Sequence, residues 1–146
     1  MKQNVEQIYR TNLIVWSAFL LSQSAFFTAL YLSKPELFRF DFTKPFLGED
    51  FIVVAIFGLM AIMNLFIGLF LRTQTTQRAI EEQKPLMVQT GLILGLAFCE
   101  SISIMGLVLG MAFSYQYFFV WNILAIIGMF LHYPKRQNYH DANFKK

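Results

Sequence analysis

Four apolar blocks, each about 20 residues and nearly free of charge, divide this chain: Thr11 to Leu32, Phe51 to Leu71, Leu86 to Met111 and Tyr117 to Tyr133. A helix of about that length crosses the ~30 Å hydrocarbon layer of a bilayer and satisfies its own backbone there. The blocks predict an all-α membrane protein with four transmembrane helices, over 11–32, 51–71, 86–111 and 117–133, arranged as two antiparallel hairpins in a single domain spanning 1–146. The fourth block is the shortest and needs its Tyr and His ends in the interfaces. A content of 56% hydrophobic against 14% charged residues, with mean hydropathy +0.49, does not suit a soluble domain.

The charged residues orient the chain. Lys2 and Arg10 precede the first block; Arg72, Arg78 and Lys84 follow the second; Lys135, Arg136, Lys145 and Lys146 follow the fourth. The other face has only Lys34, Arg39 and Lys44, so both termini and the second loop are predicted cytoplasmic, with a bacterial inner membrane as the expected setting. The first apolar run is too long for a signal peptide and has no A-x-A-like site, so no cleavable leader is expected. The net charge of +3 is spread over loops and tails, which excludes a nucleic-acid surface.

Residues 1–10 read as a short polar lead. The first helix carries Trp16 and Tyr31 toward its ends and Ser22-Gln23-Ser24 at its centre. The serines can bond back to their own helix, whereas the Gln23 amide wants a partner, either a neighbouring helix or the region of Glu100. Residues 33–50, with Pro35, Pro45 and Gly48, form the longest connection; Phe38, Phe40 and Phe42 suit the membrane surface, with Glu36, Asp41, Glu49 and Asp50 toward water. An interfacial loop and a lid over this face are the two readings. In the second helix Asn64 reads as interhelical glue, and the polar stretch 72–85 prolongs the helix until Pro85. The fourth helix holds Trp121, Asn122 and Gly128. His132 reads as an interfacial side chain, with a proton relay as the alternative. The polar tail is expected on lipid headgroups.

The third helix has one ionisable side chain, Glu100, in its middle. A carboxylate at mid-depth costs roughly 2.5–3.5 kcal/mol on the most lenient scale, so it must be neutral, paired or ion-bound. Projected at about 100° per residue from Gly91, Gly95, Gly106 and Gly110 fall at about 40°, 60° and 100°, a narrow stripe for close packing. Glu100 falls at about 180°, with Ser103 at about 120° and Ser101 at about 280°. Cys99, alone, forms no internal disulfide and reads as a small buried hydrophobe.

An internal repeat is visible. Residues 21–32 lie over 98–109 with Gln23 in register with Glu100, and Ile67-Gly68-Leu69-Phe70-Leu71 matches Ile127-Gly128-Met129-Phe130-Leu131. Two hairpins pointing the same way fit the topology drawn from charge.

The segment A-F-C-E-S-I-S-I-M-G-L-V-L within residues 94–109 resembles the carboxylate-bearing helix of the proteolipid (c) subunit of rotary F-type and V-type ATPases. The resemblance implies that helices two and three correspond to the ring hairpin and that Glu100 is its H+ or Na+ carrier. Glu100 followed by Ser101 is similar to the sodium-binding members. The chain departs from that family in its second helix, which has bulky Phe57, Phe66 and Phe70 in place of dense glycines.

Two functions are weighed. In the first, the chain is an oligomeric assembly or accessory subunit with Glu100, Ser101, Ser103, Gln23, Asn64 and Asn122 in a buried polar network. In the second, Glu100 binds or carries a proton or sodium ion. Expected partners are membrane lipids and further copies or other membrane subunits; no cofactor is expected. No paired acid, metal-ligand cluster or nucleotide loop points to an enzyme.

Overall fold

The computed structural model describes residues 4–48 and 50–143. The expectations that rest on Lys2, Glu49, Lys145 and Lys146 lie outside the described residues. The helices are α1 (Val5–Ser33), α2 (Phe51–Glu81), α3 (Pro85–Phe113), α4 (Phe119–Leu131) and α5 (Arg136–Asp141), with a 3-10 turn at Pro35–Phe38. The protein is an all-α, multi-pass membrane protein. Three helices, α1 to α3, are long and apolar enough to cross a bilayer, and α4 is a shorter apolar helix.

Each boundary has a local cause. The Asn4 side chain accepts from the Gln7 N–H at 3.3 Å, and Glu6 lies in the first turn, where the helix dipole favours an acid. The helix therefore starts at Val5 rather than near Thr11, and residues 5–10 of the expected polar lead are part of it. In α2 the helix runs on through the polar continuation to Glu81, where the Thr73 and Thr75 hydroxyls donate back to Leu69 O and Leu71 O and so do not compete for backbone N–H groups. Gln83 then takes a left-handed φ of 55°, the Lys84 N–H bonds Ala79 O at 2.9 Å, and Pro85 opens α3. Ser114, at φ 52°, closes α3 in the same way, with the Tyr115 N–H on Leu109 O.

The core is organised around α3, which has twelve buried residues against four in each of α1 and α2. α2 runs antiparallel to it, with Asn64 at Ser101, Gly68 at Gly95 and Thr75 at Gly91. α4 is also antiparallel, with Trp121 at Gly106 and Cys99 at Gly128. α1 is parallel, with Gln23 at Ser103 and Leu30 at Gly110. α1 and α2 scarcely meet. The first expected hairpin is thus not a packed pair, because the long connection lets α2 descend on a different side of α3.

The expected fourth span, 117–133, is cut to 13 helical residues, about 20 Å, because residues 114–118 are used in the turn. The tail also differs from expectation. Within α5 Tyr139 is 1% exposed and packs with Val5, Ala79 and Val88, tying the ends of α1, α2 and α3 together. Its O–H accepts from the Asn12 amide at 2.9 Å, and Arg136 pairs with Glu6 at 2.8 Å.

Candidate functional site

Polar side chains at mid-depth are brought together in pairs. Gln23, 2% exposed, accepts through Oε1 from the Ser103 hydroxyl, joining α1 to α3. On the opposite flank of α3 the Asn64 amide donates to Ser101 Oγ at 2.9 Å, and that hydroxyl donates to Phe98 O at 2.7 Å. A hydroxyl bonded back to its own turn needs no second helix, so Ser101 presents a lone pair to α2 at little cost.

Glu100 belongs to neither pair. Near the midpoint of α3 and part-exposed, it has no hydrogen bond and no ion pair among the described residues. The expected network around it is therefore split, since Ser103 turns to α1 and Ser101 to α2. Glu100 stands at the border of the exposed strip of Ile93, Ile104 and Val108, which projects at about 200–260° on the same scale. A hard cation needs several converging oxygens. Ser101 Oγ is engaged with Asn64 about 100° around the helix from the carboxyl, so these residues do not form a sodium cage within the chain.

Asn122 is buried on α4 with its amide nitrogen unpartnered among the described residues, and its carbonyl oxygen lies over Gly106. It joins neither pair. The glycine stripe faces the chain's own helices. A Cβ at Gly106 would lie 2.8 Å from Phe118 O; Gly91 borders Thr75 and the Arg72 carbonyl; Gly110 receives Leu30; and Gly95 receives the His132 ring. The stripe is consumed in the fold.

His132 is the residue that sequence reasoning misplaced. It is fully buried rather than interfacial, inserted against Gly95 with its Nδ1 2.7 Å from Gly128 O and 3.8 Å from Cys99 Sγ. A carbonyl only accepts, which assigns a proton to Nδ1, while Nε2 is buried without a hydrogen-bond partner among the described residues. Nearby, the Trp16 indole N–H donates to Met129 O at 2.7 Å. Arg72 donates to Leu131 O and Tyr133 O at 3.2 and 2.8 Å, closing the carbonyl end of α4. By sequence Arg72 reads only as a loop cation. Among the described residues no group of three or more His, Cys, Asp or Glu is placed to hold a metal.

No protein-family model, no curated protein and no solved structure matches the chain.

Proposed function

We propose that the protein is an assembly or accessory subunit of a membrane complex, in which the Glu100 edge of α3 packs against a helix of a second copy or of another membrane subunit. One observation carries this reading: a mid-depth carboxyl, part-exposed and without an intrachain partner, beside an apolar strip. Left in lipid alone it is costly, and a neutral carboxyl hydrogen-bonded to a second chain removes that cost. Both termini and the α2–α3 turn face the cytoplasm in this reading, as the cation distribution predicts. The parallel course of α1 and α3 suits descent of the Gln23 and Glu100 segments from one ancestral helix.

The test is self-association in lipid nanodiscs or mild detergent, with and without the other membrane proteins of the source cell. Wild type and Glu100→Gln should assemble alike, because a neutral carboxyl and an amide both hydrogen-bond. Glu100→Leu should weaken assembly about tenfold, the value of one interhelical bond of ~1–2 kcal/mol. A wild-type chain that stays monomeric and captures no membrane partner would overturn the proposal.

The second reading, proton carriage at Glu100, draws on the same open edge and on the proteolipid resemblance. It is separated by proton flux into liposomes, which Glu100→Gln should abolish while leaving assembly intact.

A further inference from the structure

Residues 34–48 and Asp50, with the α3–α4 turn, border a cleft of two adjoining chambers, distinct from the Glu100 edge. The first, about 760 Å³, lies between the connection and residues 113–117. Its wall carries two cations, Arg39 and Lys44, and two carboxylates, Glu36 and Asp50. None of the four is in an ion pair among the described residues. The wall is held in place before any ligand arrives. Tyr115 and Tyr117 donate their hydroxyls to Phe46 O and Lys44 O, each at 2.7 Å. Gln116 donates to Asp41 O at 2.7 Å, and Lys34 to Ser114 Oγ at 2.7 Å.

The second chamber, about 420 Å³, is a groove between α2 and α4 with no charged side chain among the described residues of its lining. Leu47 lines both chambers, so they adjoin at that side chain. The groove follows α2 from Val54 to Ile62, about 12 Å of helix. Gly58 forms part of its floor, where an added Cβ would meet only Trp121 Cζ2, at 3.9 Å.

We propose that this cleft binds one glycerophospholipid with an amine-bearing headgroup. Its phosphate lies with Arg39 and Lys44, its ammonium with Glu36 and Asp50, and one acyl chain along the groove between α2 and α4. Among the described residues two positive and two negative side chains complement a zwitterion, whereas an anionic headgroup would leave two carboxylates facing its phosphate. A soluble zwitterion would leave the apolar groove unfilled, and a plain hydrocarbon would leave the four charges unused. Only an amphiphile serves both chambers, and the site opens where a membrane presents one.

The test is native mass spectrometry of the full chain released from nanodiscs of phosphatidylethanolamine, phosphatidylglycerol and phosphatidylcholine in equal parts. Wild type should retain one phosphatidylethanolamine through detergent exchange. Arg39→Ala with Lys44→Ala should lose the adduct. Glu36→Gln with Asp50→Asn should lose the preference over phosphatidylglycerol. Gly58→Leu, or Ala55→Leu should the first variant fail to give a helical, monodisperse protein, should lose lipid by filling the groove. Retention of all three lipids alike, an adduct untouched by these changes, or displacement by soluble phosphoethanolamine as effective as by lipid would each overturn the proposal.

Discussion

The imidazole of His132 occupies the space that a side chain at residue 95 would need. The ring is held by the bond between its Nδ1–H and Gly128 O, so it has little room to withdraw. Gly95→Ala should therefore destabilise the fold by about 1–3 kcal/mol, read as a lowered unfolding midpoint in mixed micelles. Gly58→Ala, where the new methyl meets ordinary contact distance, should be near neutral. Combining Gly95→Ala with His132→Ala should cost less than the sum of the two single changes, since each makes room for the other.

The Gln23–Ser103 contact should be asymmetric. Ser103→Ala leaves a buried amide in hydrocarbon without its donor, whereas Gln23→Leu leaves a hydroxyl that can bond back to its own helix turn. The serine change should cost more, and a double-mutant cycle in micelles should give a coupling of about 0.6–2 kcal/mol. Equal costs and zero coupling would dismiss the bond as a register device.

Burial pushes the Tyr139 phenol from its ordinary 10.0 up to about 12, partly opposed by the hydrogen bond from Asn12. The folded state thus holds its proton longer than the unfolded chain does, and stability falls as pH rises from about 10 toward about 12. Tyr139→Phe should remove this alkaline loss. It should also cost about 1–3 kcal/mol at neutral pH, because the Asn12 amide, 0% exposed, loses its acceptor. Thermal unfolding followed across pH 8 to 12 reads both effects.

The Asp41 carboxylate accepts from the Thr43 hydroxyl at 2.6 Å and its backbone N–H at 3.1 Å, and these bonds hold it below the usual carboxylate range. The turn is therefore intact at neutral pH and opens as pH falls through that lowered value. Carboxyl NMR should show Asp41 titrating below 3.8, and Thr43→Val should move it back toward that value.

Arg72 reaches two carbonyls at the end of α4 from its two terminal nitrogens, a fork that the single ammonium nitrogen of lysine lacks. Arg72→Lys should speed amide exchange in the last turn of α4 and at residues 132–133, leaving α1 unchanged. Exchange equal to wild type there would count against the guanidinium as the cap.

The three long helices and the mid-depth position of Glu100 could be read along the sequence, because length and hydropathy are local properties. The N-terminal turns of α1 were also legible in principle. Asn4 followed by Glu6 is a cap signature, but a polar segment before an apolar run invites a reading as a lead. The 100° projection placed the glycines on one stripe without saying what fills it. The answer for Gly95 lies on another helix, in a histidine that terminates an apolar block and so resembles an interfacial residue. The same limit applies to Gln23 and Ser103, 80 residues apart, whose bond depends on which side of α3 each neighbour takes. Tyr139 in a polar tail gave no periodicity to mark it as core.

Because α1 and α2 scarcely touch each other and each packs on α3 more than on any other helix, neither encloses a core before α3 arrives. A nascent chain halted there would leave Gln23 and Asn64 waiting in lipid for hydroxyls still inside the ribosome or translocon. The third segment acts as a keystone placed after the stones it supports, which makes the moments before its arrival the stage at which quality control would find this protein unfinished.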